Sequence, residues 1–204
     1  LADLIRRKDV TPDEVLDAAI ARVETRNPAV NAVVMELHDH ARQAIAAGLP
    51  DGPFTGVPFL LKDLGAALAG TRTTRGSKFF AGLPAQTEDS VHVTRLKQAG
   101  LVIYGKTNTC EFGLSLTCEP QLHGPSRNPW DPARTPSGSS GGAAAAAASR
   151  LLPRADPAAA FGALRAPAAA SGLAGRPPTH PLNPRAPPLR DSVARPPLPP
   201  TATL

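Results

Sequence analysis

Two stretches of this chain hold residue types that do chemistry together: a lysine that closes an apolar run, and a serine pair inside a glycine loop. Lys62 follows Val57-Pro58-Phe59-Leu60-Leu61 directly. A run of that length reads as a buried strand, which leaves the ammonium where charge is costly. Lys62 must then pair, with Asp63 as the adjacent acid, or give up its proton. A desolvated neutral lysine is a general base suited to a serine hydroxyl. The bland reading is an edge lysine whose stem is covered and whose head reaches water.

The second stretch is Ser137-Gly138-Ser139-Ser140-Gly141-Gly142, followed by six alanines, Ala143 to Ala148. Small residues running into the best helix former predict a tight loop at a helix N-terminus. Such a loop offers backbone N–H groups and the positive end of a helix dipole to an anion. A phosphate loop, a linker and a loop that presents a serine hydroxyl all fit it. The phosphate reading lacks the Gly-Lys-Ser/Thr ending. Cys110 and Cys118 have no second cysteine pair or histidine pair beside them. We expect free thiols, no metal, and a reducing, cytoplasmic setting.

Other segments predict the elements that would position these groups. Thr11-Pro12-Asp13-Glu14 carries a capping box with proline at the first helical position. Leu16, Ala19, Ile20 and Val23 then repeat at helical spacing to about Thr25, with Leu1, Leu4 and Ile5 suggesting a short helix before it. Asn27-Pro28 reads as the stop. Val30 to Met35 reads as a strand, and His38 to Ala47 as a helix ended by Gly48. Val57–Leu61 and Leu101–Tyr104 read as buried strands, Gly65–Gly82 as loop. A helix opened by Asp89 or Ser90 and closed by Gly100 lies between the last two. This alternation predicts an α/β fold, a sheet flanked by helices.

Composition limits the function classes. No run of 18 apolar residues exists, so no membrane span is expected, and no leader pattern opens the chain at Leu1. Of the 29 residues from Arg176 to Leu204, ten are proline. We therefore expect residues 180–204 to form a disordered Pro/Arg-rich tail beside a domain at 1–179. The net charge of +5 invites a nucleic-acid partner. The tail, however, has no aromatics for stacking and no binding motif, so no specific nucleic acid is expected.

Taken in order, the motifs resemble the amidase signature family. They are Gly56-Val57-Pro58-Phe59-Leu60-Leu61-Lys62-Asp63, Thr73-Thr74-Arg75-Gly76-Ser77, Gly105-Lys106-Thr107-Asn108, Glu111-Phe112-Gly113, Asn128-Pro129-Trp130-Asp131 and Thr135 to Gly142. The resemblance runs from about Leu1 to Thr179 and covers the N-terminal part of the family. It implies a mixed sheet flanked by helices, and Ser–Ser–Lys hydrolysis of a small carboxylic amide without cofactor or metal. Its lysine falls on Lys62. Its middle serine, which follows a cis peptide bond, falls on Ser139, with Ser140 as a helper.

The chain departs from that pattern at one decisive point. The family's nucleophile lies 24 residues past the middle serine, in a Thr-Asp-x-Gly-Gly-Ser-x-Arg-x-Pro run. Arg165 and Pro167 hold that register, so the nucleophile position is Ala163. Gly162 remains of the oxyanion loop, Phe161 replaces its other glycine, and Ala158 and Ala159 replace the Thr-Asp pair. Ser149 and Ser171 lack the preceding Gly-Gly and are rejected as substitutes. Family members are more than twice this long. The expectation is therefore an impaired hydrolase; the alternative is a non-catalytic remnant or binding module from a truncated or frameshifted gene.

Overall fold

The computed structural model describes residues 1–156 and 162–176. The elements are α1 (Ala2–Arg6), α2 (Pro12–Val30), β1 (Val33–Glu36), α3 (His38–Ala46), β2 (Pro58–Lys62), α4 (Lys78–Ala81), α5 (Val91–Gln98), β3 (Val102–Thr107), α6 (Gly141–Ala148) and α7 (Arg165–Ala170). A 3-10 turn occupies Glu111–Gly113. The strands form one mixed sheet in the order β1-β3-β2. β1 is antiparallel to β3, and β2 is parallel to it.

The sheet is covered on both faces. Leu60 and Tyr104 join Leu16, Val23 and Val30 of α2 and Ala143, Ala145 and Ala146 of α6 in one core. Phe59, Leu61 and Ile103 pack with Leu68 and with Val93 of α5 in the other. Every residue of β2 and β3 is buried. This explains why the two strands read as unbroken apolar runs rather than as alternating ones.

An irregularity in the β2–β3 pairing controls what lies at the strand ends. Phe59 is opposite Ile103, but Leu60 is opposite Gly105, so β3 carries one extra residue at that point. An inserted residue shifts the phase of the side chains that follow. Tyr104 shares the α6 face with Leu60, whereas Lys106, opposite Leu61, shares the α5 face. Gly105 is needed here, because a Cβ on it would lie 2.8 Å from the Met35 carbonyl oxygen.

Two boundaries differ from the sequence reading. α2 passes through Asn27-Pro28 and ends at Asn31, which is left-handed (φ 47°). A proline this close to the end of a helix removes one N–H donor and leaves the rest of the ladder in place. Asn27 is the residue that turns the chain: its Oδ1 accepts from the backbone N–H groups of Ala32 and Val33, both at 2.8 Å. β1 accordingly starts at Val33 rather than Val30. The segment read as loop between Gly65 and Gly82 contains the short α4, capped by Ser77. The capping box at Thr11 and Glu14 is present as expected. Residues 157–161 and the expected tail at 180–204 lie outside the described residues.

Candidate active site

Lys62 is the last residue of β2 and is 0% exposed. Strand alternation puts it on the face of Leu60, toward the start of α6. Its Nζ donates to Ser139 Oγ at 2.7 Å and to Ser140 Oγ at 2.8 Å. Burial pushes the ammonium down to about 8, while Cys110, Asp156 and Cys118 pull it back up. Of the two arrangements the sequence allowed, pairing with Asp63 or facing a serine, the structure gives Lys62 the serine hydroxyls. Asp63, the next residue, points to the other face, where its carboxylate accepts from the Thr74 N–H and hydroxyl.

The serines are held by close packing. The Gly138–Ser139 peptide bond is cis. Ser140 is the residue before the first turn of α6, and both serines are buried. Gly142 lies against β3's exit: a Cβ there would sit 2.4 Å from the Asn108 N and 2.8 Å from the Ala32 carbonyl oxygen. Gly142 N–H donates to the Asn108 carbonyl at 3.2 Å, and Asn108 N–H to the Ala32 carbonyl at 2.8 Å. The side chain of Asn108 also donates to Ser126 Oγ and the Gly124 carbonyl. Asn108 thus ties the serine loop to the end of α2. Its motif was visible in the sequence, but this linking role was not.

Chemically, a buried lysine with a lowered pKa and two hydroxyls within hydrogen-bond reach can move a proton. When neutral, Lys62 can accept one from Ser139, leaving the hydroxyl oxygen able to accept another in turn.

The remaining predicted positions are less closely tied to this cluster. Gly162 has φ +93°, with nothing within 4 Å of a Cβ built there. Ala163 is buried, at 6% exposure, and carries only a methyl group. Ala158, Ala159 and Phe161 lie outside the described residues. Ser149 is the C-cap of α6. At 1.5 Å per residue, that helix separates it from Ser140 by roughly 14 Å. Ser171 caps α7, and its backbone carbonyl accepts from Trp130 Nε1 at 2.8 Å. Asn128 Nδ2 donates to the Ala170 carbonyl at 2.8 Å, so the Asn128–Trp130 segment grips the end of α7.

A second buried cluster lies on the opposite face of the sheet. Lys106 is 0% exposed and donates to the Arg72 carbonyl and to Thr73 Oγ1. Burial pushes its ammonium down to about 8, opposed by Asp63. Burial raises Asp63, with Thr74, Lys106 and His123 lowering it. Cys110 and Cys118 are free and buried. No group of three or more metal-binding side chains occurs among the described residues, and no helix there is long and apolar enough to cross a membrane.

The sheet is mixed and lies between helices, with a buried lysine hydrogen-bonded to a serine pair at a helix start. The chain belongs to the amidase family, whose profile it matches over residues 14–195. It is 41% identical over 181 residues to a 6-aminohexanoate-cyclic-dimer hydrolase of Paenarthrobacter ureafaciens, covering 87% of this chain and 36% of that protein. It is 40% identical over 187 residues to a glutamyl-tRNA(Gln) amidotransferase component of Alkalilimnicola ehrlichii, covering 88% and 38%. Among solved structures, a 6-aminohexanoate cyclic dimer hydrolase superposes with a TM-score of 0.79 at 41% identity, covering 84% of this chain and 35% of that one. A bacterial aryl acylamidase superposes with a TM-score of 0.75 at 35% identity, covering 82% and 36%. The fold is thus of the amidase-signature type, as expected. The chain spans little more than a third of the length of these relatives.

Proposed function

We propose that this chain carries the proton-relay part of a Ser–Ser–Lys amide hydrolase, with turnover impaired by the alanine at position 163. Lys62 is the base, Ser139 the relay and Ser140 the helper that keeps the lysine oriented. The observation that supports this is the buried Lys62 Nζ within 2.7 Å and 2.8 Å of the two hydroxyls. In the complete reaction, neutral Lys62 takes the proton of Ser139. Ser139 takes one from an attacking hydroxyl and returns it to the leaving amine. Gly162 belongs to the loop that would face the oxyanion.

Ala163 offers no hydroxyl to attack with. In a serine triad of another fold, loss of the nucleophile lowers kcat about a million-fold. The substrate class is a small carboxylic amide, in keeping with the hydrolases this chain is similar to. A non-catalytic amide-binding module is the second reading, favoured by Ala163 itself. The free, buried thiols support a reducing compartment, the cytoplasm.

A serine-directed fluorophosphonate probe tests the proposal. The expected result is no labelled peptide containing Ser139 or Ser140 and amide hydrolysis at background. Stoichiometric labelling that disappears in Lys62→Met would show that an acylatable serine exists, and would overturn the assignment of the nucleophile position to Ala163.

A further inference from the structure

We propose that Lys106 and Asp63 are positioning residues: a buried brace that fixes the turn packed against Ser139 by way of the Arg72–Arg75 segment. This rests on the reading of Lys62 and Ser139 as the relay, and it concerns groups which that relay does not use. Both side chains are 0% exposed, and their nearest charged atoms are 4.0 Å apart. Two ionisable groups without access to water are retained at a cost, so their contacts must supply something.

Those contacts converge on one segment. Lys106 Nζ donates to the Arg72 carbonyl, and to Thr73 Oγ1 at 3.2 Å. The Asp63 carboxylate accepts from the Thr74 N–H at 3.1 Å and 3.2 Å, and from the Thr74 hydroxyl. His123 Nε2 lies 3.2 Å from that hydroxyl and 3.9 Å from Asp63 Oδ2. The Asp63 backbone carbonyl accepts the Arg75 N–H at 3.0 Å. Four consecutive residues, Arg72 to Arg75, are thus tied to two adjacent strand ends.

The segment passes this order on. The Phe112 N–H donates to the Arg75 carbonyl at 2.9 Å. The Arg75 guanidinium stacks 4.5 Å from the Phe80 ring centroid, and Phe80 meets Phe112 edge-on at 5.6 Å. Phe112 has φ 54°, in the left-handed region that a non-glycine residue adopts only when held there. Gly113 follows, and a Cβ built on it lies 3.7 Å from Ser139 Oγ. Releasing Lys106 or Asp63 would therefore loosen the wall beside the relay serine without touching either relay residue.

The test uses the full chain labelled with carbon-13 at the lysine ε position. The chain has five lysines, so each is resolvable, and Lys62→Met assigns the signal in question. In Lys106→Met we expect the amides of Arg75 and Phe112 to exchange about tenfold faster or more, with the α2 core amides unchanged. We also expect the Lys62 titration midpoint to rise by about one unit, because water reaches the loosened pocket. Thr74→Val, nearly isosteric, should shift both readouts in the same direction by less, and stands in should Lys106→Met not fold. Unchanged exchange at Phe112, an unmoved Lys62 midpoint, or equal acceleration throughout α2 would overturn the brace. Fluorophosphonate labelling bears on the nucleophile and leaves this result standing, so the two failures are distinguishable.

Discussion

Replacing Lys62 with methionine should stabilise the fold at neutral pH and destabilise it in alkali. Burial lowers the Lys62 ammonium from 10.5 to about 8. Below the folded value both states carry the proton, and the folded state bears the full penalty of a buried charge. Between the two values the unfolded chain binds more protons, so stability rises with pH. Above the unfolded value both states are neutral and the penalty has gone. At 1.36 kcal/mol per unit, the penalty at pH 7 is about 3 kcal/mol. Methionine fills a similar volume without it, but forfeits the two bonds to Ser139 and Ser140, about 1 kcal/mol each. The net expectation is a gain of about 1 kcal/mol at pH 7 and a loss of about 2 kcal/mol near pH 10.5. The assay is urea unfolding of both proteins at half-unit steps from pH 7 upward. Lys106 is present in both chains, so its own titration cancels in the difference. At pH 7 the midpoint of thermal unfolding should rise by about 2–4 °C. A stability difference that does not change with pH, or that moves in favour of methionine in alkali, would refute the view that Lys62 is held against its solvation preference.

Three further outcomes follow from the same geometry. Gly142→Ala should destabilise by about 3 kcal/mol or more, seen in the urea midpoint, because its Cβ would overlap the Asn108 and Ala32 backbone. Thr11→Ala should cost about 1 kcal/mol, since the Thr11 hydroxyl accepts the Glu14 N–H at the start of α2. Ala163→Ser should leave amide turnover at background in this chain, measured by release of amine, because the chain spans only 36% of the hydrolase it is similar to; measurable turnover would contradict that expectation.

Much of this fold was legible because its signals are local. The Thr11 box, Ser90, Gly48 and Gly100 act within a few residues of themselves, and their helices start or stop where expected. Lys62 was legible as a buried lysine, because an apolar run of strand length has no outside. Its partners, Ser139 and Ser140, came from the ordered motifs and not from the strand itself, since alternation about a strand end decides between Asp63 and the serine loop, and that depends on where β2 stops. The overrun of α2 through Pro28 was hidden for a different reason. The signal that ends the helix is the Asn27 side chain reaching Ala32 and Val33, a contact that exists only once the turn has formed. The Lys106 cluster was equally hidden, because the irregularity at Tyr104 and Gly105 arises from pairing between strands and leaves no mark on the spacing of either.

That one extra residue in β3 also acts as electrical insulation. Were the strand in regular phase, Lys106 would emerge on the face that holds Lys62 and the serine pair. Two ammonium groups would then share one dry pocket. Like charges a few ångströms apart in a poorly polarisable medium repel by several kcal/mol, and neither lysine could keep a proton chemistry of its own. The offset sends the second cation through the sheet to Asp63, leaving apolar side chains as a partition between two separately titrating sites.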